Sequence, residues 1–246
     1  MVLLPTRRGY FFSHRILHAV FWAYKRFDFK FFLRMDDDYF VCLDNLLKDI
    51  QHRQQEKFLY WGYMHCIQRG QVRIDEGFLI LQVDLVREII KRNKSLCCHP
   101  FGDQAVAMWV NGVDKEGTKV TYFADNQRVV HRRKNMREFN PGFCDSVIGI
   151  HESYPKQMFQ YWNITKRQKL TPSFYKHHVV EEYQNYCKYP KRLDWKAFLM
   201  TFWGHKPKPC WSPGVLWPQL SSFKYHGGRK ELQTETGKKR RKRGNV

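Results

Sequence analysis

Apolar residues recur at helical spacing over residues 12–27, where Ile16, Leu17, Val20, Phe21, Tyr24 and Phe27 share one side. The spacing predicts an amphipathic helix with one buried face. Phe29 to Met35 follows, short, dense in aromatic residues and stopped by the run Asp36-Asp37-Asp38. That is the pattern of a buried strand whose C-terminal end opens into a site. Leu43, Leu46, Leu47 and Ile50 then restore the helical period, with Asp44 read as the N-cap.

Farther on, Phe58 to Trp61 reads as a strand ending at Gly62, and Gly77 to Val83 as a second apolar strand. It feeds a helix over 84–91 with Leu85, Val86, Ile89 and Ile90 inward. Another helix is expected from Asp103 to Asn111, stopped by Gly112, followed by strands at 119–123 and 146–150. Pro155 is placed to open a last short helix through Trp162. Alternating strands and helices predict an α/β sandwich in which loops at the strand C-termini form the site. Beyond about residue 167 the period weakens, and 227–246 reads as a disordered basic tail.

Composition narrows the picture without choosing a function. The 246 residues suffice for one sizeable domain, and 43% hydrophobic with 16% aromatic residues excludes a mostly disordered chain. The net charge of +20 suits nucleic acid, an anionic surface or a negatively charged small substrate. Its terminal run Lys238 to Arg243 has a plainer reading as a solvated tail. Seven cysteines without a Cys-x-x-Cys pair disfavour a zinc finger and fit some disulfides plus a free thiol in an oxidising compartment. Asn163-Ile164-Thr165 is a glycosylation sequon that such a compartment would use. No stretch reaches the roughly 20 apolar residues that cross a bilayer, and Met1 to Pro5 is too short for a signal peptide.

Three consecutive carboxylates after a hydrophobic strand repel one another unless a cation or hydrogen-bond donors compensate. An oxygen-ligated Mg²⁺ or Mn²⁺ bridging them to a diphosphate is one compensator. An exposed acidic turn or a capping cluster is the other reading of the triplet alone.

The segment Lys30-Phe31-Phe32-Leu33-Arg34-Met35-Asp36-Asp37-Asp38-Tyr39-Phe40-Val41 resembles the strand-plus-aspartate motif of glycosyltransferase family 31, which holds β-1,3-galactosyl- and β-1,3-N-acetylglucosaminyltransferases. Tyr60-Trp61-Gly62-Tyr63 is similar to that family's Trp-Gly segment, and Glu76-Gly77-Phe78-Leu79-Ile80-Leu81-Gln82-Val83-Asp84-Leu85-Val86 to its glycine-containing strand and helix start. Phe101-Gly102-Asp103-Gln104-Ala105-Val106 stands where the family has its Glu-Asp-Val motif, and Ile148-Gly149-Ile150-His151 resembles its late strand ending in His. The order of these motifs, over about residues 10–165, carries the resemblance.

The resemblance implies a GT-A-like nucleotide-binding sandwich over 1–166, a C-terminal extension at 167–226 packed on or near it, and inverting transfer of a hexose, galactose first, from a UDP-sugar to a glycan hydroxyl. The implied roles are nucleotide binding for Arg34, Asp36, Asp37 and Asp38, Mn²⁺ ligation for Asp38 and His151, and substrate contact for Trp61, Gly62, Glu76 and Gly77. Asp103 would be the catalytic base, although on its own it also fits a helix cap. A Golgi luminal setting follows from the family, with membrane association only through a segment absent from this chain. Relatives carry an anchor, a stem and first strands upstream, so the resemblance implies an N-terminally truncated copy.

Gly102 and Gln104 depart from the family pattern, which has Glu and Val there, so one acidic group is missing. That departure motivates a second reading, a catalytically inactive relative. A third, a basic nucleic-acid-binding protein, is opposed by the acidic triplet and by the lack of a recognition module.

Overall fold

The apolar run from Gly77 to Val83 is nearly continuous because its strand is covered on both faces. Trp61, Phe78 and Ile80 point into one core with Leu46 and Ile148, while Tyr60, Leu79 and Leu81, which alternate with them, are equally buried on the other. In this computed structural model, which describes residues 12–67, 71–115, 117–131, 142–166, 187 and 207–211, the chain is a mixed α/β structure. The described residues fall within one compact unit, Met1–Trp211.

Strand β1 (Phe31–Met35), expected to be buried, is an edge strand with Leu33 and Met35 exposed, because only one side of it is paired. It lies antiparallel to β4 (Gln71–Gln82), which lies antiparallel to β3 (Leu59–Ile67). β3 in turn runs parallel to β6 (Thr121–Ala124), giving the order β1-β4-β3-β6. Helix α4 (Gly102–Lys115) packs on β4, and α1 (Phe12–Arg26) and α3 (Val83–Lys91) pack beside it. Ile16, Leu17 and Val20 of α1 and Leu85, Val86 and Ile89 of α3 supply buried stripes, but the face expected of α1 stops short, since Tyr24 is exposed and Phe27, past the helix end at Arg26, is more so.

A second, small sheet positions the site. β2 (Phe40–Val41) pairs antiparallel with β8 (Gly149–Ile150), and β8 pairs in parallel with β7 (Val129–Val130). Phe40 faces Ile150 and Val130 faces Ile150, so the residues just off these strand ends, Asp38, His131 and His151, converge.

Several expected boundaries move, each for a physical reason. The strand expected to end at Gly62 continues to Ile67, because β3 and β4 form a long hairpin with an irregularity between Gly62 and Met64. Gly62 is required there, since a Cβ would strike the Phe78 carbonyl and stand 2.5 Å from Ile74 Cγ2. This hairpin has no helix between its strands and interrupts the expected alternation. Helix α4 runs through Gly112 to Lys115; burial of Val110 and Val113 offsets the roughly 1 kcal/mol that glycine costs within a helix. Helix α2 (Leu43–His52) is capped by Cys42 rather than Asp44, which sits in its first turn, and Cys42 is bonded to Cys144 of the short helix α5 (Phe143–Ser146). That helix takes the start of the strand expected at 146–150. Pro155 opens α6 (Pro155–Thr165) as expected.

Two further disulfides, Cys66–Cys187 and Cys98–Cys210, leave Cys97 as the free thiol among the cysteines. The bridges close loops of 102, 121 and 112 residues, each worth about 5 kcal/mol against the unfolded chain in the loop-entropy model. Cys98–Cys210 fastens β9 (Lys208–Pro209) to β5 (Cys97–Cys98). Of the expected extension at 167–226 only Cys187 and 207–211 are described, and the basic tail at 227–246 lies outside the described residues.

A buried ionic network joins α2 to the segment between β6 and β7. The Arg128 guanidinium reaches Asp49 of α2 at 2.6 Å and forks onto Asp125, with Nε to Oδ1 at 2.8 Å and the terminal nitrogen to Oδ2 at 2.6 Å. Trp61 Nε1–H donates to the same Asp125 at 2.9 Å. No periodicity argument identifies this network, whose members lie in three separate segments.

Candidate functional site

The chain leaves β1 in a tight turn. The Asp36 N–H donates to the Gly77 carbonyl at 3.0 Å and the Tyr39 N–H back to Asp36 at 3.3 Å, so the three aspartates sit at the end of a fixed strand. The Ser153 N–H donates to the Asp38 carbonyl at 2.8 Å, which ties this turn to the segment after β8. Asp38 Oδ1 then lies 3.3 Å from His151 Nε2, and the other ring nitrogen of His151 donates to the His131 carbonyl at 2.9 Å. Tyr39 stacks on the His151 ring with centroids 4.8 Å apart.

Asp36, Asp38 and His151 thus present ligand atoms within 4.8 Å of one another. The donor set, two carboxylates and one imidazole, fits a divalent cation such as Mn²⁺. His151 has its second nitrogen engaged by a carbonyl, the usual arrangement for orienting a metal-binding imidazole. Asp37 is exposed and stands outside the cluster.

The electrostatics agree with a site that concentrates opposite charges. Burial pushes the Asp38 carboxyl up, but its hydrogen bond to His151 and the charge there outweigh this and leave it below the usual range. For His151, burial acts downward and Asp38 more than reverses it. Asp36 is raised by burial, against the pull of Arg34, whose guanidinium pairs with it at 2.8 Å. Arg34 also donates to the carbonyl of Glu76.

Gly102 finds its reason in Glu76. A Cβ at residue 102 would run into the Glu76 carboxylate and come to 2.5 Å from Ile16 Cδ1. The Glu76 carboxylate, projecting from β4, thus occupies the space that a side chain at 102 would need. Glu76 Oε2 is buried with no hydrogen-bond partner among the described residues. Burial, opposed by Arg34 and reinforced by Asp103, Asp36 and Asp75, pushes this carboxyl up to about 8.

A carboxyl raised on folding binds its proton more tightly in the folded state, so its contribution is full at low pH and is lost as pH rises. Relative to Glu76→Gln, wild-type stability should decline from about pH 4.5 to about 8, and the variant should become the more stable of the two at the alkaline end. Urea midpoints measured across that range test this. Parallel curves would remove Glu76 as the titrating group.

Asp103 stands in the first turn of α4, nearly buried, with one oxygen paired to Arg73 and the other accepting the Gln104 N–H at 2.7 Å. Gly77 lies between the carboxylates: a Cβ there would meet Asp75 Oδ1 at 2.8 Å and Asp36 Oδ2 at 3.3 Å. Trp61, expected to touch substrate, is fully buried, stacked on Phe123 at 5.3 Å and hydrogen-bonded to Asp125. It and Gly62 are packing positions that support the hairpin. The residues that sequence reasoning missed are His65, Arg73, Asp75 and His131. The adjacent pair Asp75-Glu76 before the glycine strand was a usable signal; two isolated histidines were not.

The fold and side chains together define a mixed α/β protein with a carboxylate–imidazole cluster at a strand end. No protein-family model matches the chain. Over 77 residues, 30% of its length, it is 35% identical to beta-1,3-galactosyltransferase 6 of Mus musculus, of which the match spans 23%. The similarity is to a glycosyltransferase, over less than a third of either protein.

Proposed function

We propose that this chain is a metal-dependent, inverting glycosyltransferase of GT-A type that moves a hexose, galactose first, from a UDP-sugar to a glycan hydroxyl in a β-1,3 linkage. The observation that carries this reading is the meeting of Asp38 and His151, remote in sequence, beside Asp36 at the end of β1. The similarity to beta-1,3-galactosyltransferase 6 supports the same reaction class.

In this reading Asp38 and His151 hold Mn²⁺, with Asp36 and Arg34 facing the nucleotide. A cation held by these residues would supply charge neutralisation for a departing diphosphate. Asp103 takes the proton of the acceptor hydroxyl, and Arg73 holds its carboxylate in place. Glu76, occupying the space beside Gly102, restores the second acidic group next to that base. A glycan in protein or lipid glycosylation is the acceptor class. Three disulfides and an exposed Asn163 in its sequon support an oxidising, luminal compartment, read here as the Golgi. Among the described residues no helix is long and apolar enough to cross a membrane.

Asp38→Ala should abolish Mn²⁺-dependent UDP binding and leave the melting temperature within a few degrees, because Asp38 is partly exposed and serves charge rather than packing. Calorimetry of UDP with and without Mn²⁺ measures it. Equal UDP affinity and metal response in mutant and wild type would sink the proposal.

A further inference from the structure

A second cluster lies where the long hairpin meets the end of β7. His65 projects from β3, Asp75 from β4, and His131 follows β7, and their ligand atoms all lie within 4.8 Å of one another. Asp75 Oδ2 is 2.7 Å from His65 Nε2 and 3.6 Å from His131 Nδ1. Its other oxygen accepts the Gly77 N–H at 2.8 Å, so the carboxylate is aimed rather than free to turn.

The rings are held as firmly. Tyr63 stacks on His131 with centroids 4.8 Å apart, and His131 stacks on His151 at 5.3 Å. The side chains are 14% to 21% exposed, enough for an ion from solvent to reach them. Two tetrahedral ligands, each roughly 2.1 Å from zinc, stand about 3.4 Å apart. The His131–Asp75 separation of 3.6 Å already matches that spacing, while the His65–Asp75 contact at 2.7 Å is shorter and would have to widen by about 0.7 Å around an ion.

We propose that His65, Asp75 and His131 form a zinc-type divalent cation site, distinct from the cluster of Asp36, Asp38 and His151. Two imidazoles and one carboxylate make a three-protein-ligand zinc set. The neighbouring cluster has the opposite ratio, and imidazole-rich sets favour zinc while carboxylate-rich ones favour manganese. The two are mechanically joined, since the His131 carbonyl receives the His151 ring hydrogen and Gly77 is flanked by Asp75 and Asp36. None of this requires the transfer reaction proposed above.

The test uses the full, disulfide-intact chain without an affinity tag, stripped of metal and titrated with Zn²⁺ against a chromophoric chelator. Wild type should bind Zn²⁺ stoichiometrically, and His65→Gln and Asp75→Asn should each weaken it by roughly 100-fold or more, beyond the cost of disturbing an outer shell. Asp38→Ala should retain it. Near-ultraviolet circular dichroism identifies any variant that fails to fold, and two variants at separate strands guard against that outcome. Co²⁺ in place of Zn²⁺ should give no sulfur-to-metal charge-transfer band. Binding that, in an Asp38→Ala background, survives both His65→Gln and Asp75→Asn, that disappears in Asp38→Ala alone, or that shows a thiolate band from Cys97 would overturn the assignment, as would a wild type that does not bind.

Discussion

If the proposed transfer uses Asp103 as its base, Asp103→Asn is expected to lower it by about 10² to 10⁴, the usual worth of a general base, while UDP and Mn²⁺ binding stay near wild type. The amide is almost isosteric, and it can still accept the Gln104 N–H that one carboxylate oxygen accepts now. What it cannot do is take the acceptor proton, and with its oxygen kept by Gln104 it turns an NH2 toward the Arg73 donor, so the Arg73 ion pair is lost. Single-turnover transfer from UDP-galactose, with calorimetry of UDP on the same protein, separates the chemical step from binding. The comparison begins from an active wild type. Transfer by the Asn variant within a few-fold of that parent would leave Asp103 as a helix-capping residue held by Arg73, and the base would have to be sought at Glu76.

Arg128→Ala should cost about 3–5 kcal/mol of folding stability, because it strands two buried carboxylates that now share one guanidinium. Asp49 is fully buried and Asp125 nearly so. That loss is a large share of the about 5–15 kcal/mol that holds a typical domain. Arg128→Lys should recover part of it, since an ammonium is one compact charge and cannot fork onto Asp125 while reaching Asp49. The damage should extend to the site. The Arg128 carbonyl receives the N–H groups of Ile148 and Gly149, so the same residue sets β7 beside β8 and thereby His131 beside His151. Urea denaturation checks the magnitude, and Mn²⁺ affinity of the folded fraction checks the coupling. A loss under about 1 kcal/mol would mean that water replaces the guanidinium at little cost.

The proposed metal centre and the proposed zinc site depend on this small sheet more than on the four-stranded one. β2, β7 and β8 are two residues each, too short to announce themselves in a pattern of hydrophobic alternation. Yet their register decides which polar residues meet. An antiparallel partner places Asp38 by His151, and a parallel one places His131 by the same ring.

Read by itself, the sequence determined the elements with long apolar stripes: α1, the strand leading into Asp36, α3, α4 and the Pro155 start of α6. Periodicity records which face of a helix or strand is buried, and that is a local property of the chain. It also singled out Asp38 and His151, through the order of motifs rather than through any spacing. Only the tertiary structure decided that Trp61 belongs to the core, that Glu76 fills the space left by Gly102, and that His65, Asp75 and His131 face one another. Each of these is a contact across strands or between separate segments, even where, as for His65 and Asp75, the residues are ten apart on one hairpin, and polar residues carry no period that would reveal such partners.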